Sequence, residues 1–209
     1  DDLWVPEKLE IQAPLFERNP ALVFSFANAC NLTDDGQLGP PFIDFKSSHL
    51  ADIEHVIEGD VVWFKENLQP HLLLGCPATT PGIVTRRDAL LEAGGFDPQW
   101  LRGQDLDLWL RLAGLDGANY VDGVLYHRRI HSSNVTQDRL RIDKAQIQIL
   151  TPWLHRVVPW RAGQRQAFVK RLAALNHSVG WRLGKRGEHG EARIYLRESL
   201  KYAFRMKTL

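Results

Sequence analysis

The chain has 209 residues, 44% of them hydrophobic, with a net charge of +1. That composition excludes a disordered chain and suits one domain, or one domain with an appendage. No apolar run approaches the roughly 18–20 residues of a membrane helix, and no signal-peptide pattern opens the sequence.

The small net charge conceals a split. Residues 138–209 hold 16 basic and 5 acidic residues (+11), and residues 1–137 hold 10 basic and 20 acidic (−10). The basic tail reads either as a solvated helix face, or one docked on the acidic body, or as contact with an anionic partner such as a membrane surface or a polyprenyl-phosphate acceptor. Cys30 and Cys76 lack the spacing of a zinc or redox motif and read as two free buried thiols, which fits a reducing cytoplasm.

In chain order, Pro6 suits a first helical turn, and Leu9, Gln12, Ala13 and Phe16 continue it until Asn19-Pro20. Ala21 to Cys30 is a partly β-branched apolar run that predicts a buried strand, closed by a turn at Asp34-Asp35-Gly36. Residues 37–50, with Gly39-Pro40-Pro41, read as a surface loop, and residues 50–67 as helical with Gly59 weakening the middle. Thr79 to Thr85 predicts a strand, and Arg86 to Ala93 a short helix ending at Gly94. Residues 104–113 predict a buried helix, apolar nearly all round through Leu106, Leu108, Trp109, Leu110 and Leu112. Residues 119–130 predict a strand. From Gln137 the pattern is helical, broken at Pro159 and again near Gly184-Lys185-Arg186-Gly187.

Four stretches carry chemistry: Asp1-Asp2-Leu3-Trp4-Val5-Pro6-Glu7-Lys8-Leu9-Glu10-Ile11-Gln12, Gly94-Gly95-Phe96-Asp97, Gly103-Gln104-Asp105-Leu106-Asp107-Leu108-Trp109-Leu110-Arg111, and Tyr126-His127-Arg128-Arg129-Ile130-His131. Each has a structural reading as well. Acids at Asp1, Asp2 and Asp105 suit helix starts, where the dipole favours them. Gly94-Gly95 suits a helix C-cap, since Gly takes positive φ freely. Asp107, four residues before Arg111, suits an intrahelical ion pair. Trp100 reads equally as a sugar-stacking ring or a buried loop residue.

In their order and spacing, the four stretches together resemble the second half of a family 2 glycosyltransferase catalytic domain of the GT-A fold. The resemblance covers residues 1–135, leaving 136–209 as a basic α-helical tail. Within that tail, Ala174–Leu200 faintly resembles a single tetratricopeptide helix pair. The implied fold class is α/β: a GT-A-like, Rossmann-like mixed sheet flanked by helices, without its N-terminal nucleotide-binding half, followed by the helical extension. The chain is thus expected to begin inside the family's Asp-rich metal motif. The only Met, Met206, agrees with a fragment or processed chain. A half-sheet of this kind is expected to be inactive alone and to associate through an exposed edge.

The resemblance implies inverting transfer of a sugar from a nucleotide-diphosphate sugar to an acceptor hydroxyl. Asp105 is the implied catalytic base, an ordinary carboxylate of pKa about 4 being ionised at neutral pH. Gly94, Gly95, Asp97, Trp100, Gln104 and Arg129 are the implied substrate-binding residues, and Asp1 and His131 the implied ligands of a divalent cation, Mg or Mn. Gln104 stands where the family places Glu. Implied partners are a nucleotide-sugar donor and a saccharide or lipid-linked acceptor, in a cytoplasmic protein; peripheral contact with an anionic membrane surface is the expectation that the tail's charge adds. A non-catalytic transferase-like binding module is the alternative. Nucleic acid is not expected, because the tail interleaves few aromatics with its basic residues.

Overall fold

In the computed structural model, which describes residues 1–115, 117–130 and 138–205, the apolar run after Pro20 forms the central strand β2. Naming elements in chain order, β1 is Leu3–Trp4, α1 Lys8–Arg18, β2 Phe24–Leu32, β3 Leu38–Pro41, β4 His55–Glu58, β5 Val61–Phe64, α2 Gln69–Leu74 and β6 Val84–Thr85. Then come α3 Arg87–Glu92, α4 Gln104–Ala113, β7 Ala118–Arg129, α5 Arg139–Leu150, α6 Gln164–Lys185 and α7 His189–Arg205. The fold is mixed α/β: one sheet in the order β3-β2-β7-β5-β4, with β1 added against β7 and β6 against β2.

Two compact units divide the chain. Residues 1–97 and 108–134 form a sheet unit, and residues 98–107 and 135–209 a helical one. The sheet unit rests on β2 and β7, which pair in parallel from Phe24↔Ala118 to Leu32↔Arg129. Parallel neighbours are buried on both faces, which accounts for the largely apolar β2, with Phe24, Phe26, Ala27 and Ala29 all buried alongside Ser25 and Asn28. The register slips on either side of Asn28, so β7 carries extra residues around Asp122-Gly123. At that slip the Asn28 side chain replaces lost backbone pairing: Nδ2 donates to Ile43 O at 2.8 Å and Oδ1 accepts Ile43 N–H at 3.0 Å.

Residues 50–67 are not the helix expected from sequence. They contain the antiparallel hairpin β4–β5, paired from His55↔Phe64 to Glu58↔Val61. Gly59, at φ +60°, opens the two-residue loop, so it is the hairpin's turn residue rather than a weak point in a helix. The flanking Val56, Ile57, Val61, Val62 and Trp63 favour the pleated state. The loop expected over 37–50 likewise contains β3, antiparallel to β2 with Leu32↔Leu38 and Cys30↔Pro41. Two prolines are tolerated there because β3 is an edge strand, where a missing N–H costs no ladder bond. Of the strand expected at 79–85 only Val84–Thr85 pairs, since a 3₁₀ turn over Thr80–Gly82 takes up Pro81.

Other expectations hold. α1 follows Pro6, and α3 ends just before Gly94. α4 spans the residues expected, with Leu106, Leu108, Trp109, Leu110 and Leu112 buried. Each such large apolar side chain contributes about 1.5–3 kcal/mol. Cys30 is buried as expected, but Cys76 is only half-buried, and neither forms a disulfide among the described residues.

In the helical unit, α5 packs on α6 through Leu140, Val179 and Leu183, and the α6–α7 hairpin closes against Ala192. The helices approach closely at Gly180, where a Cβ would lie 2.7 Å from Leu196. Asp143, buried on α5, accepts from Arg182 at 2.6 Å and Ser178 at 3.1 Å, both on α6. The breaks expected at Pro159 and after Gly184 are the non-helical residues before α6 and the short turn between α6 and α7.

Candidate functional site

In the sheet unit, the chain start is brought to the end of β7. β1 pairs with β7 through Leu3↔His127 and Trp4↔Tyr126. One residue further back, Asp2 Oδ1 accepts the Arg129 backbone N–H at 3.0 Å, and the Asp1 carbonyl accepts Arg129 Nε at 3.0 Å. Residues of the first and last of the four stretches, 127 and 128 positions apart, therefore share one corner. His131, expected beside them, lies outside the described residues.

After the Asp-led start, α1 carries a buried polar chain of which only one link is local in sequence. Lys8 Nζ donates to Gln12 Oε1 at 2.6 Å, and Gln12 Nε2 donates to Ser25 Oγ at 3.0 Å and to Gly82 O at 3.1 Å. Lys8 also lies 4.6 Å from the centre of the Trp4 ring. Burial pulls the pKa of the Lys8 ammonium down to about 8. The helical i,i+4 spacing of Lys8 and Gln12 was the available signal. Only the fold shows that this face is buried rather than solvated.

The Gly94-Gly95 turn is a Schellman cap on α3. Gly95 N–H bonds to Leu90 O at 2.9 Å and Gly94 N–H to Leu91 O at 3.0 Å, with φ of +64° and +84°. A Cβ on Gly95 would meet nothing within 4 Å, so its backbone is open to approach. From α4, the Arg111 guanidinium donates to Ala93 O and, at 2.8 Å, to Gly95 O. Arg111 thus clamps the turn, a role its spacing from Asp107 did not suggest. Asp97 follows the turn and is half-buried.

Trp100, Gln104 and Asp105 belong to the helical unit, whereas Asp1, Gly94, Gly95, Asp97 and Arg129 belong to the sheet unit. Gly103 seats the loop before α4 on α5: a Cβ there would lie 2.7 Å from Ile149 Cδ1. Asp105 is half-buried in the first turn of α4, where Oδ1 accepts the Leu106 N–H at 2.8 Å. Gln104 is exposed beside it. A cleft of about 670 Å³ in this unit is lined by Trp100, Arg102, Arg141 and Lys144, among others. The Trp100 indole N–H is buried and has no acceptor among the described residues.

The resemblance implies a divalent cation, and the acid pair bears on it directly. Asp2 spends one oxygen on Arg129, and no group of three His, Cys, Asp or Glu placed to hold a metal ion occurs among the described residues. Mg²⁺ is commonly held by one or two carboxylates together with substrate phosphates, so the Asp1-Asp2 start fits that kind of binding. Compared with known proteins, the chain matches no family model, and no curated protein matches it. Among the described residues no helix is long and apolar enough to cross a membrane.

Proposed function

We propose that this chain is part of an inverting, nucleotide-sugar-dependent glycosyltransferase of the family 2 type, with GT-A architecture in its sheet unit. One observation carries the reading: the acidic start and Arg129, assigned to the same diphosphate-handling corner by the motif order alone, are hydrogen-bonded neighbours. The clamped Gly94-Gly95 turn gives secondary support, since it presents a backbone free of side chains to a sugar.

In this reading Asp105 accepts the proton of an acceptor hydroxyl as that oxygen attacks the anomeric carbon. The nucleoside diphosphate leaves with the bonding electrons, and the anomeric configuration inverts. Arg129, positioned by Asp2, meets the diphosphate, and the Gly94-Gly95 backbone and Asp97 meet the sugar. Trp100 supplies a ring for the acceptor. A divalent cation held by Asp1 together with diphosphate oxygens would supply charge neutralisation at the leaving group.

Gln104 in place of Glu favours a second reading, a transferase-like module that binds without turnover. The test is nucleotide-sugar turnover by the complete protein across UDP-, GDP- and dTDP-linked donors, with Mg²⁺ or Mn²⁺ and with chelator. Metal-dependent turnover that falls by about 10²–10⁴-fold in Asp105→Asn is expected. Turnover surviving that substitution moves the base elsewhere, Asp107 first. Absence of both turnover and donor binding leaves the binding module.

A further inference from the structure

The helical unit carries a surface that the transferase reading does not use. Arg193, Arg197, Leu200 and Phe204 follow one another on α7 at i, i+4, i+7 and i+11, the spacing of a single helix face. All four are exposed, with Leu200 at 59% and Phe204 at 67%, values at which neither is serving a core. On α6, Trp181 and Lys185 repeat the pattern one turn apart. Trp181 is 53% exposed, with the Lys185 ammonium 4.2 Å from its ring centre. The two stripes face the same side, because Trp181, Lys185 and Arg193 line one groove of about 430 Å³ between the helices.

Charge separates this surface from an ordinary solvated face. Arg193 and Arg197 have no ion-pair partner among the described residues. The acids on α7 are engaged elsewhere: Glu191 with Lys144, and Glu198 with Lys201. Large apolar side chains alternating with unneutralised cations, on a segment of net charge +11, match an anionic lipid surface. There the rings and Leu200 enter the headgroup boundary while the guanidinium and ammonium groups meet lipid phosphates.

We propose that the α6–α7 face is a peripheral docking surface for anionic membranes, with Trp181, Leu200 and Phe204 inserting and Lys185, Arg193 and Arg197 holding the headgroups. The inference is independent of the glycosyltransferase reading and stands if the protein transfers no sugar. It commits to a lipid surface rather than to a second copy of this chain, whose acidic residues 1–137 offer charge complementarity but no lipid interior for the exposed rings.

The experiment is co-sedimentation of the full chain with vesicles of phosphatidylcholine alone and of phosphatidylcholine mixed with phosphatidylglycerol. Binding is expected only to the mixed vesicles, weakening with salt. Arg193→Glu with Arg197→Glu should weaken it by at least about 25-fold, at roughly fivefold per cation. Trp181→Ser with Phe204→Ser, which leaves the charge unchanged, should weaken it by at least about tenfold. All four positions are exposed, so melting temperatures should match wild type, and a matched melt makes any loss of binding interpretable. The proposal is overturned by failure to bind the mixed vesicles, by equal binding to both compositions, or by loss in the charge variant alone. Self-association without vesicles, removed by these substitutions while lipid binding is absent, would assign the face to a second copy.

Discussion

The sheet unit and the helical unit bury their chain by contacts of opposite range, and the difference shows in which polar groups each takes inside. β2 finds its main partner in β7, some ninety positions later, while α6 and α7 meet across a turn of three residues. The long-range pairing forces Lys8, Gln12, Ser25, Asn28 and Asn119 into the interior of the sheet unit. The helical unit satisfies its backbone within each helix and buries few polar side chains, chiefly Asp143 and Asn176. The consequence is that the sheet unit's stability hangs on particular hydrogen bonds and close approaches, and the helical unit's on a broad apolar seam.

The sharpest way to break the contrast is Gly117→Ala. A Cβ there would lie 1.9 Å from the Ala21 carbonyl, at φ +75°, beside the bonds from Val23 and Phe24 that start β2. A loss of about 4 kcal/mol is expected in denaturant unfolding. Gly184 in α6 is the converse: a Cβ there would meet nothing within 4 Å, and its φ is not positive. Its replacement by Ala belongs at the other end of the scale.

Lys8 gives a pH signature to the sheet unit. Burial holds its folded value at about 8, against 10.5 for the free side chain. Between those values the unfolded chain binds the extra proton, so rising pH stabilises the fold, by up to about 3 kcal/mol across the window. Below pH 8 the contribution is flat. The buried Cys30 thiol and the Tyr120 and Tyr126 hydroxyls, all raised by burial, act in the opposite sense as pH climbs past their unfolded values. The readout is therefore the difference between wild type and Lys8→Met. The variant should lack the rise, and an unchanged pH dependence would mean that Lys8 is solvated.

Asp143→Ala tests whether the helical unit is as insensitive to polar loss as its seam suggests. It removes the acceptor of Ser178 and Arg182, at a cost of about 2 kcal/mol, since Arg182 is one-third exposed and can turn to water. A loss of about 4 kcal/mol or more would place this unit in the same class as the sheet unit. Arg111→Met should cost about 1.5 kcal/mol and speed amide exchange at Gly94 and Gly95, because the Schellman bonds remain but the clamp on the Ala93 and Gly95 carbonyls goes. Unchanged exchange would show that the cap alone holds the turn. Gly184→Ala, in the last turn of α6, should stabilise by about 0.5 kcal/mol, the smallest effect and the only gain among these substitutions.

Much of the fold was legible where one local rule dominated. The largely apolar β2, the nearly all-round apolar α4 and the Gly breaks after α3 and α6 each carry their reason in consecutive residues. The hairpin β4–β5 was illegible because Gly59 reads as a flaw in a helix until the strands on either side are seen to pair. β3 hid behind two prolines that only an edge position permits. At the candidate site, the motif order named Asp1, Arg129 and the Gly94-Gly95 turn. It gave no sign of the Arg111 clamp or of the Gln12–Ser25 bond that extends the Lys8–Gln12 pair, both contacts that spacing along one helix cannot reveal.

By itself the sequence determined periodicity, turn chemistry and the opposition of an acidic body to a basic tail, all properties of neighbours along the chain. Only the tertiary structure decided which acid meets Arg129, which carbonyls Arg111 holds and which face of α7 is left to solvent. Those outcomes depend on the β1–β7 pairing, on Arg111 reaching the α3 cap and on the close approach at Gly180, where backbone separation through space, not order along the chain, sets what a side chain can reach.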